Sequence, residues 1–345
     1  MPRQLSPIPP ALGTQFGRRD AIASGVSLSR LRARDLEIPF RGSRMLKVLG
    51  STSPLARAEE ESLDRSPRAL EAEHALERFR GRALAYASIM PGHSLFIGVT
   101  AAVFLEVPVP LRTRAWDATG DRHLDVGVFA PYRASRAAGV RGAQLAPKLV
   151  SVRELGGIRL SSPASTWAML GVELTVDELV VAGDAIVRIP RQSNGRRGDP
   201  GLALATVAQL AAAVSAGRRR GAVVLREALT LIRVGSASPP ETDLRLALLR
   251  DGLPEPVLDF DVVGEEGELI GYTELAYPQW RVLIEYEGDH HRTSRKQWNR
   301  DIEKHARCVA LGWTVLRITS AHLYPSPAPA VARIRVALER TGWHE

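Results

Sequence analysis

The stretch that most constrains the fold is "TELAYPQWRVLIEYEGDHHR", at residues 273–292. Apolar and polar residues alternate along it, which is typical of a strand with one face in a core. Short connections on both sides predict antiparallel hairpins with strands at 257–263, 268–276 and 281–287. The sequence therefore predicts a sheet in which the strand at 281–287 carries several negative charges.

The acids of this hairpin fall on one face of the predicted sheet. Leu283, Glu285 and Glu287 share a face because side chains alternate along a strand. A turn at 277–280 would place Glu274 opposite Leu283 and diagonal to Glu285. The other face would pack into a core and carries Val282, Ile284 and Tyr286. Clustered carboxylates repel one another, so we expect either a divalent cation such as Mg²⁺ between them or an exposed face neutralised by Arg and Lys.

The segments around the hairpin complete a module with the element order α-β-β-β-α-β-α. A helix begins at Ser238, where Glu241 lies three residues after the cap, so a capping box also accounts for Glu241. A second helix begins at Thr293 or Ser294 and ends at Gly312. A strand, "WTVLRIT", and a final helix, "APAVARIRVALERTG", follow. The module spans residues 236–345.

Composition favours a polyanionic partner. The 345 residues carry a formal net charge of +8, which favours nucleic acid, although scattered surface arginine would give the same balance. The single cysteine, Cys308, is expected to be a packing residue, since one thiol forms neither an internal disulfide nor a Cys-type zinc site. The sequence has no run of ~18 apolar residues and no apolar signal segment. We therefore expect a cytoplasmic protein that acts away from the membrane.

The length predicts several domains. The fold class expected is α/β multidomain, with an N-terminal winged helix-turn-helix, an α/β middle domain and a C-terminal α-β-β-β-α-β-α domain, whose resemblance to known nucleases implies a restriction-endonuclease-like fold. The boundaries expected are a disordered tail at 1–14, the winged helix at 15–48, a linker at 49–75, the middle domain at 76–195, a helical connector at 200–235, and the module at 236–345.

The winged-helix prediction depends on "FGRRDAIASGVSLSRLRARDLEIPFRGSRML". A short helix from Asp20, a break at Gly25, a second helix capped by Ser27 and a small strand pair follow one another. The second helix would lie in the major groove of DNA. Its DNA-contacting residues would be Ser29, Arg30, Arg32 and Arg34. A helical cap with a solvated basic face is the alternative.

With those residues, the C-terminal module resembles the PD-(D/E)XK nuclease fold, and more closely the very-short-patch repair endonuclease group and a related family of domains of unknown function. The resemblance covers about residues 236–325 and includes "SPPETDLR" and "RDIEKHARCVALGWTVLRIT". It implies a Mg²⁺- or Mn²⁺-dependent endonuclease acting on DNA.

The resemblance also implies roles for individual residues. Glu274 falls where the family has its central metal-binding aspartate and Glu285 falls at the second acid. Glu287, a further metal-ligand candidate, falls where lysine often stands, so the lysine is absent from this strand. The implied assisting and backbone-contacting residues are the helix glutamate Glu241, the general acid or base His290 or His291, and the phosphate contacts Arg292, Arg295 and Lys296.

The N-terminal half resembles the AbiEi-type antitoxin architecture over about residues 15–48 and 76–190. "LFIGVTAAVFLEVPVP", "LDVGVF" and "GGIRLSSPASTW" carry that resemblance. Two functions follow from the two resemblances. One is a metal-dependent DNA endonuclease. The other is an antitoxin-like or transcriptional DNA-binding regulator, with a cognate toxin or other protein partner, whose nuclease-like domain is weak or inactive.

Overall fold

The structure is a computed structural model that describes residues 5–47, 67–110, 122–287 and 295–344, without the side chains of 67–71 and 295–300. The chain divides into two compact units, Met1–Leu170 and Gly171–Glu345. Both units combine helices with sheets. The predicted α/β multidomain class is thereby confirmed at that level.

The first unit contains four α-helices and eight strands among its described residues. They are β1 (Gln15–Gly17), α1 (Arg18–Ala23), β2 (Leu36–Glu37), β3 (Ser43–Leu46), α2 (Pro67–Ala87), β4 (Ser94–Phe96), α3 (Gly98–Phe104), β5 (Leu124–Phe129), β6 (Val140–Leu145), β7 (Val152–Leu155), β8 (Ile158–Ser161) and α4 (Pro163–Leu170).

The second unit contains seven α-helices and four strands among its described residues. They are α5 (Val176–Val187), α6 (Val207–Ser215), α7 (Ala222–Leu231), α8 (Pro239–Arg250), β9 (Val257–Val263), β10 (Leu269–Tyr277), β11 (Val282–Glu287), α9 (Arg295–Ala310), β12 (Thr314–Thr319), α10 (Ser320–Leu323) and α11 (Ala328–Arg340).

The first three strands form a small sheet in the order β1-β3-β2. Its core is made by Phe16, Leu31 and Leu36, and Ile8 and Leu12 of the preceding segment pack against it. The predicted disordered tail at 1–14 is therefore wrong for the described residues 5–14. Ile8 and Leu12 are partly buried by this packing, which favours an ordered segment.

The predicted recognition helix from Ser27 is wrong. Only a single 3-10 turn, Arg30–Arg32, forms there. Arg30 is buried, donates to both carboxylate oxygens of Asp35 at 2.8 and 2.6 Å, and donates to the backbone oxygen of Ser6. These contacts bind Nε, Nη1 and Nη2 of Arg30 to the fold itself. The contact of Arg30 with DNA stays a prediction.

A five-stranded sheet in the order β6-β5-β4-β8-β7 forms the rest of the first unit. Strand β5 is buried along most of its length and pairs antiparallel with β4 and parallel with β6. Helices α3 and α4 carry mostly buried residues. Strand β5 covers "LDVGVF", and β8 and the first residues of α4 lie within "GGIRLSSPASTW".

Helix α5 belongs to the second unit, although the sequence predicted it within a middle domain ending at residue 195. A Thr175 capping box begins this helix. Its Asp184 accepts hydrogen bonds from Thr242 at 2.9 Å and from Arg245 at 2.8 Å, both on α8. The side chains of this ion pair are 0–1% exposed. Helices α5 and α8 are therefore joined inside one core.

The second unit contains a four-stranded sheet in the order β12-β11-β10-β9, in which β11 and β12 are parallel and the other pairs antiparallel. The elements α8-β9-β10-β11-α9-β12-α11 follow the predicted order, with short α10 added. One face packs against α8 and α11 through Leu275, Val282 and Ile284, as expected. The other face packs Ala276 and Leu283 against Cys308 of α9.

Among the described residues, no helix combines the length and the apolar character that a membrane crossing requires.

Candidate active site

The acidic residues of β10 and β11 lie on the sheet face that α9 covers. The register pairs Leu275 with Ile284 and Ala276 with Leu283. Continued by one residue, it places Glu274 directly opposite Glu285. The predicted diagonal arrangement was thus wrong by two residues, because the hairpin closes around residues 278–281, which include the 3-10 turn Pro278–Trp280, and not around 277–280. The acids share a face as expected, since a two-residue shift preserves the alternation.

Lys304 of α9 reaches this acidic pair. Its ammonium lies 2.5 Å from Glu285 Oε1 and donates to the backbone oxygen of Tyr272 at 2.9 Å. Burial disfavours the charge of Lys304, but the carboxylates of Glu285 and Glu274 outweigh burial and raise its pKa. Lys304 is therefore positively charged at neutral pH, which makes it an electrostatic group rather than a base.

Glu274 is the member of the pair whose ionised form is disfavoured by its surroundings. Its Oε2 is buried and has no hydrogen-bond partner. Burial, followed by the negative charges of Glu241 and Glu285, raises the pKa of Glu274 to about 8, while Lys304 offsets part of this effect. A carboxyl group with an unused buried oxygen is available to a cation or to a proton.

Glu241 is already engaged at the start of α8. Its Oε2 accepts from the backbone N–H of Ala237 at 2.7 Å and its Oε1 from the hydroxyl of Ser238 at 2.8 Å. Burial raises the pKa of Glu241. The cap differs from the predicted capping box, since Ser238 donates to Glu241 instead of accepting from the backbone. Glu241 therefore accepts hydrogen bonds at the start of α8, and its negative charge helps to raise the pKa of Glu274.

Glu287 does not join the other two acids. Its carboxylate lies 3.0 Å from Arg317 Nη1 of the neighbouring strand β12, where both side chains are substantially exposed. Within the described part of the chain, no group of three Asp, Glu, His or Cys residues is close enough to hold a metal. The predicted three-carboxylate ligand set is therefore wrong, because Arg317 pairs with its third member.

The remaining pair still fits a hard divalent cation. Mg²⁺ is commonly held by one or two carboxylates together with water and substrate phosphate. Glu274 offers a free buried oxygen. Glu285 has a second oxygen, Oε2, which lies 3.9 Å from Arg317 Nε, beyond hydrogen-bond distance. Glu274 and Glu285 are therefore the residues that would hold such an ion.

The aromatic ring of Tyr272 lies next to Lys304, the residue that binds Glu285. The ring lies 4.2 Å from the guanidinium of Arg191 and 5.9 Å from the ammonium of Lys304. Arg191 is held by Asp259 and Asp261 of β9. The loop after α5, which the sequence predicted only as a connection, thus helps to order the residues next to Lys304.

Not all of the predicted site residues fall in the described part of the chain. His290, His291 and Arg292 lie outside it, and α9 includes Arg295 and Lys296 without their side chains. The sequence did not predict Lys304 as a site residue, because the resemblance places the lysine of such a site on the strand. The sequence did contain one indication of its position. Lys304 lies four residues before Cys308, residues four apart share a helix face, and Cys308 was expected in the core, so Lys304 could be expected to face the sheet.

No family model matches the chain, and no solved structure matches it. Two proteins described as uncharacterized, from the CDC 1551 and H37Rv strains of Mycobacterium tuberculosis, are each 32% identical to it over 122 residues. The match covers 35% of this chain, and the chain spans 45% of each relative's length. The similarity supplies relatives but assigns no activity.

Proposed function

We propose that the second unit is a metal-dependent endonuclease that hydrolyses phosphodiester bonds of DNA, with a PD-(D/E)XK-like arrangement of its sheet and helices. The observation that carries the proposal is that two different carboxylates lie opposite each other. Glu274 has a buried oxygen without a hydrogen-bond partner, and Glu285 is bound to Lys304. The element order and the net charge of +8 support the same function.

The charge balance of the site favours hydrolysis over a purely structural role. A structural pair would be Glu285 and Lys304 alone, and Glu274 would then be a buried acid without a partner. Its raised pKa keeps Glu274 largely protonated at neutral pH in the metal-free protein, and a divalent ion bound between Glu274 and Glu285 would favour its ionised form. When bound, Mg²⁺ or Mn²⁺ lowers the pKa of a water and stabilises charge on the phosphate.

The chain's own residues have distinct tasks in this mechanism. Glu274 and Glu285 would hold the ion through their carboxylate oxygens. Lys304, anchored by Glu285 and the Tyr272 carbonyl, places a positive charge beside these acids, where negative charge develops on phosphate during hydrolysis. It supplies from α9 the ammonium that β11 lacks. The ring of Tyr272 lies within cation–π distance of both Arg191 and Lys304.

The test is cleavage of supercoiled and linear DNA with Mg²⁺ or Mn²⁺. The chain should cut in a metal-dependent way, and Glu285→Gln should slow cutting by at least ~10²-fold, since it weakens both the metal site and the anchor of Lys304. Glu268→Gln is the matched control, because Glu268 pairs with Arg307 on an exposed surface. It should cut as fast as the unchanged chain.

Two outcomes contradict the proposal. One is equal cutting by the unchanged chain and Glu285→Gln, which would point to a contaminating nuclease. The other is folded protein that binds DNA but cuts none with either metal, which would favour the DNA-binding regulator and leave the acidic pair as a relic. Thermal unfolding of each variant separates loss of chemistry from loss of fold.

Lys304→Gln should slow single-turnover cleavage by roughly 10²–10³-fold, the usual effect of removing one positioned charge from a reacting centre. Lys304→Arg should recover part of that loss because it restores the charge. DNA affinity in EDTA should change little, since one partly buried ammonium adds little to backbone binding. A Lys304→Gln variant that cuts at the normal rate would remove Lys304 from the mechanism.

A further inference from the structure

The first unit contains an arginine-lined cavity of about 830 Å³. Its walls come from α1, the turn at Arg30–Arg32, the β2–β3 hairpin and the segment after α2. Five guanidinium groups line it: Arg18, Arg19, Arg32, Arg41 and Arg44. A single carboxylate, Asp20, lies among them. The cavity is therefore strongly positive.

Four of these arginines are exposed, namely Arg18, Arg19, Arg32 and Arg41. Within the described part of the chain, none of the four side chains has an ion-pair or hydrogen-bond partner. By contrast, Arg30 beside the cavity is fully paired with Asp35. Elsewhere in the chain arginines commonly have carboxylate partners. The uncompensated positive charge of these four arginines is typical of a surface that binds an anion.

Arg44 fixes the floor of the cavity. It is buried and donates to the backbone oxygens of Leu31 at 2.8 Å and Ser43 at 2.7 Å. Burial, with the nearby charge of Arg18, lowers the pKa of Arg44. The positive charges thus oppose one another in the free protein, and an anion between them would relieve that repulsion.

The rim of the cavity is apolar. Leu28 is 50% exposed and Ile38 is 59% exposed, and both line it. Guanidinium groups match phosphate oxygens in a forked geometry, while exposed apolar side chains suit the sugar beside each phosphate. The combination fits a phosphate ester more closely than a free inorganic ion, which would make no use of the rim.

We propose that this cavity binds the sugar-phosphate backbone of DNA through Arg18, Arg19, Arg32 and Arg41, in place of the recognition helix that the sequence predicted. The choice of DNA as the source of phosphate rests on the proposed function. The binding itself is independent of cleavage, because it needs neither the acidic pair nor a metal. Arg32 keeps its predicted DNA-binding role, whereas Ser29 and Arg34 do not line the cavity.

The test is anisotropy of a labelled duplex with the full chain in EDTA, over a range of salt. The double variant Arg18→Ala/Arg41→Ala should weaken binding by about tenfold or more at physiological salt. The slope of its salt dependence should fall by ~0.9 for each phosphate that the variant no longer neutralises. The matched controls are Arg34→Ala, outside the cavity on the same segment, and Arg153→Ala, exposed on β7. Both should bind almost as the unchanged chain does.

Three results would overturn the proposal. They are equal weakening by Arg34→Ala, unchanged binding by the double variant, and binding of a mononucleotide or inorganic phosphate that depends on Arg18 and Arg41 while duplex binding does not. The last result would assign the cavity to a small phosphate ligand. Because no cleavage is measured, a failed endonuclease test and a failed cavity test remain distinguishable.

Discussion

Asp184→Ala should lower the free energy of unfolding of the second unit by about 3–5 kcal/mol. The change removes the partner of Arg245, a guanidinium that is 0% exposed. Glu255 remains 3.3 Å from Arg245 Nη1, but it is partly exposed and cannot replace the buried pair. Asp184 also accepts from Thr242 and from the backbone N–H of Arg233. Chemical denaturation followed by circular dichroism measures the loss.

Asp177→Ala on the same helix is the matched control. Asp177 pairs with Arg250, but those side chains are 39% and 59% exposed. Such a surface pair contributes ~0–1 kcal/mol. A loss for Asp184→Ala no larger than that of Asp177→Ala would show that burial of the α5–α8 ion pair does not hold in solution. It would also weaken the assignment of α5 to the second unit.

Glu274→Gln should stabilise the metal-free protein at alkaline pH. The pKa of Glu274 rises from 4.5 in the unfolded chain to about 8 in the folded one. Below the lower value both states hold the proton and no difference arises. As pH rises to about 8, the unfolded chain loses its proton first, so the native state loses stability. At about 1.4 kcal/mol per pKa unit, the difference is on the order of 3–5 kcal/mol.

Denaturation in EDTA between pH 4 and pH 9 measures this effect, with the exposed Glu268→Gln as control. The unchanged chain and Glu274→Gln should have similar stability near pH 4, and the advantage of the variant should grow as pH rises from about 4.5 to about 8 and level off above that. Mg²⁺ should reduce the gap at high pH, since a bound cation stabilises the ionised carboxylate of the unchanged chain. Parallel profiles across the whole pH range would contradict the buried, unpartnered state of Glu274.

The alternation of apolar and polar residues determined much of the C-terminal module. Strand β9 has the predicted bounds, and β10 and β11 begin within one residue of theirs. The faces follow from period two, so Leu283 and Ile284 point to different cores as expected. Prediction from the local sequence was wrong where contacts with distant residues determine the backbone conformation. The segment after Ser27 has a helix-like pattern, yet burial of Arg30 beside Asp35 favours a single turn.

The sequence by itself determined that Glu274 and Glu285 share one sheet face, because alternation along a strand is a local property. Only the tertiary structure decided which charges meet them. Glu285 of β11 pairs with Lys304 of α9. Glu287 pairs with Arg317 across the parallel strands β11 and β12, and Asp184 of α5 pairs with Arg245 of α8. These partners come from packing between distant segments, which no local spacing encodes. Packing within the first unit likewise brings the arginines of α1, the Arg30–Arg32 turn and the β2–β3 hairpin into one cavity.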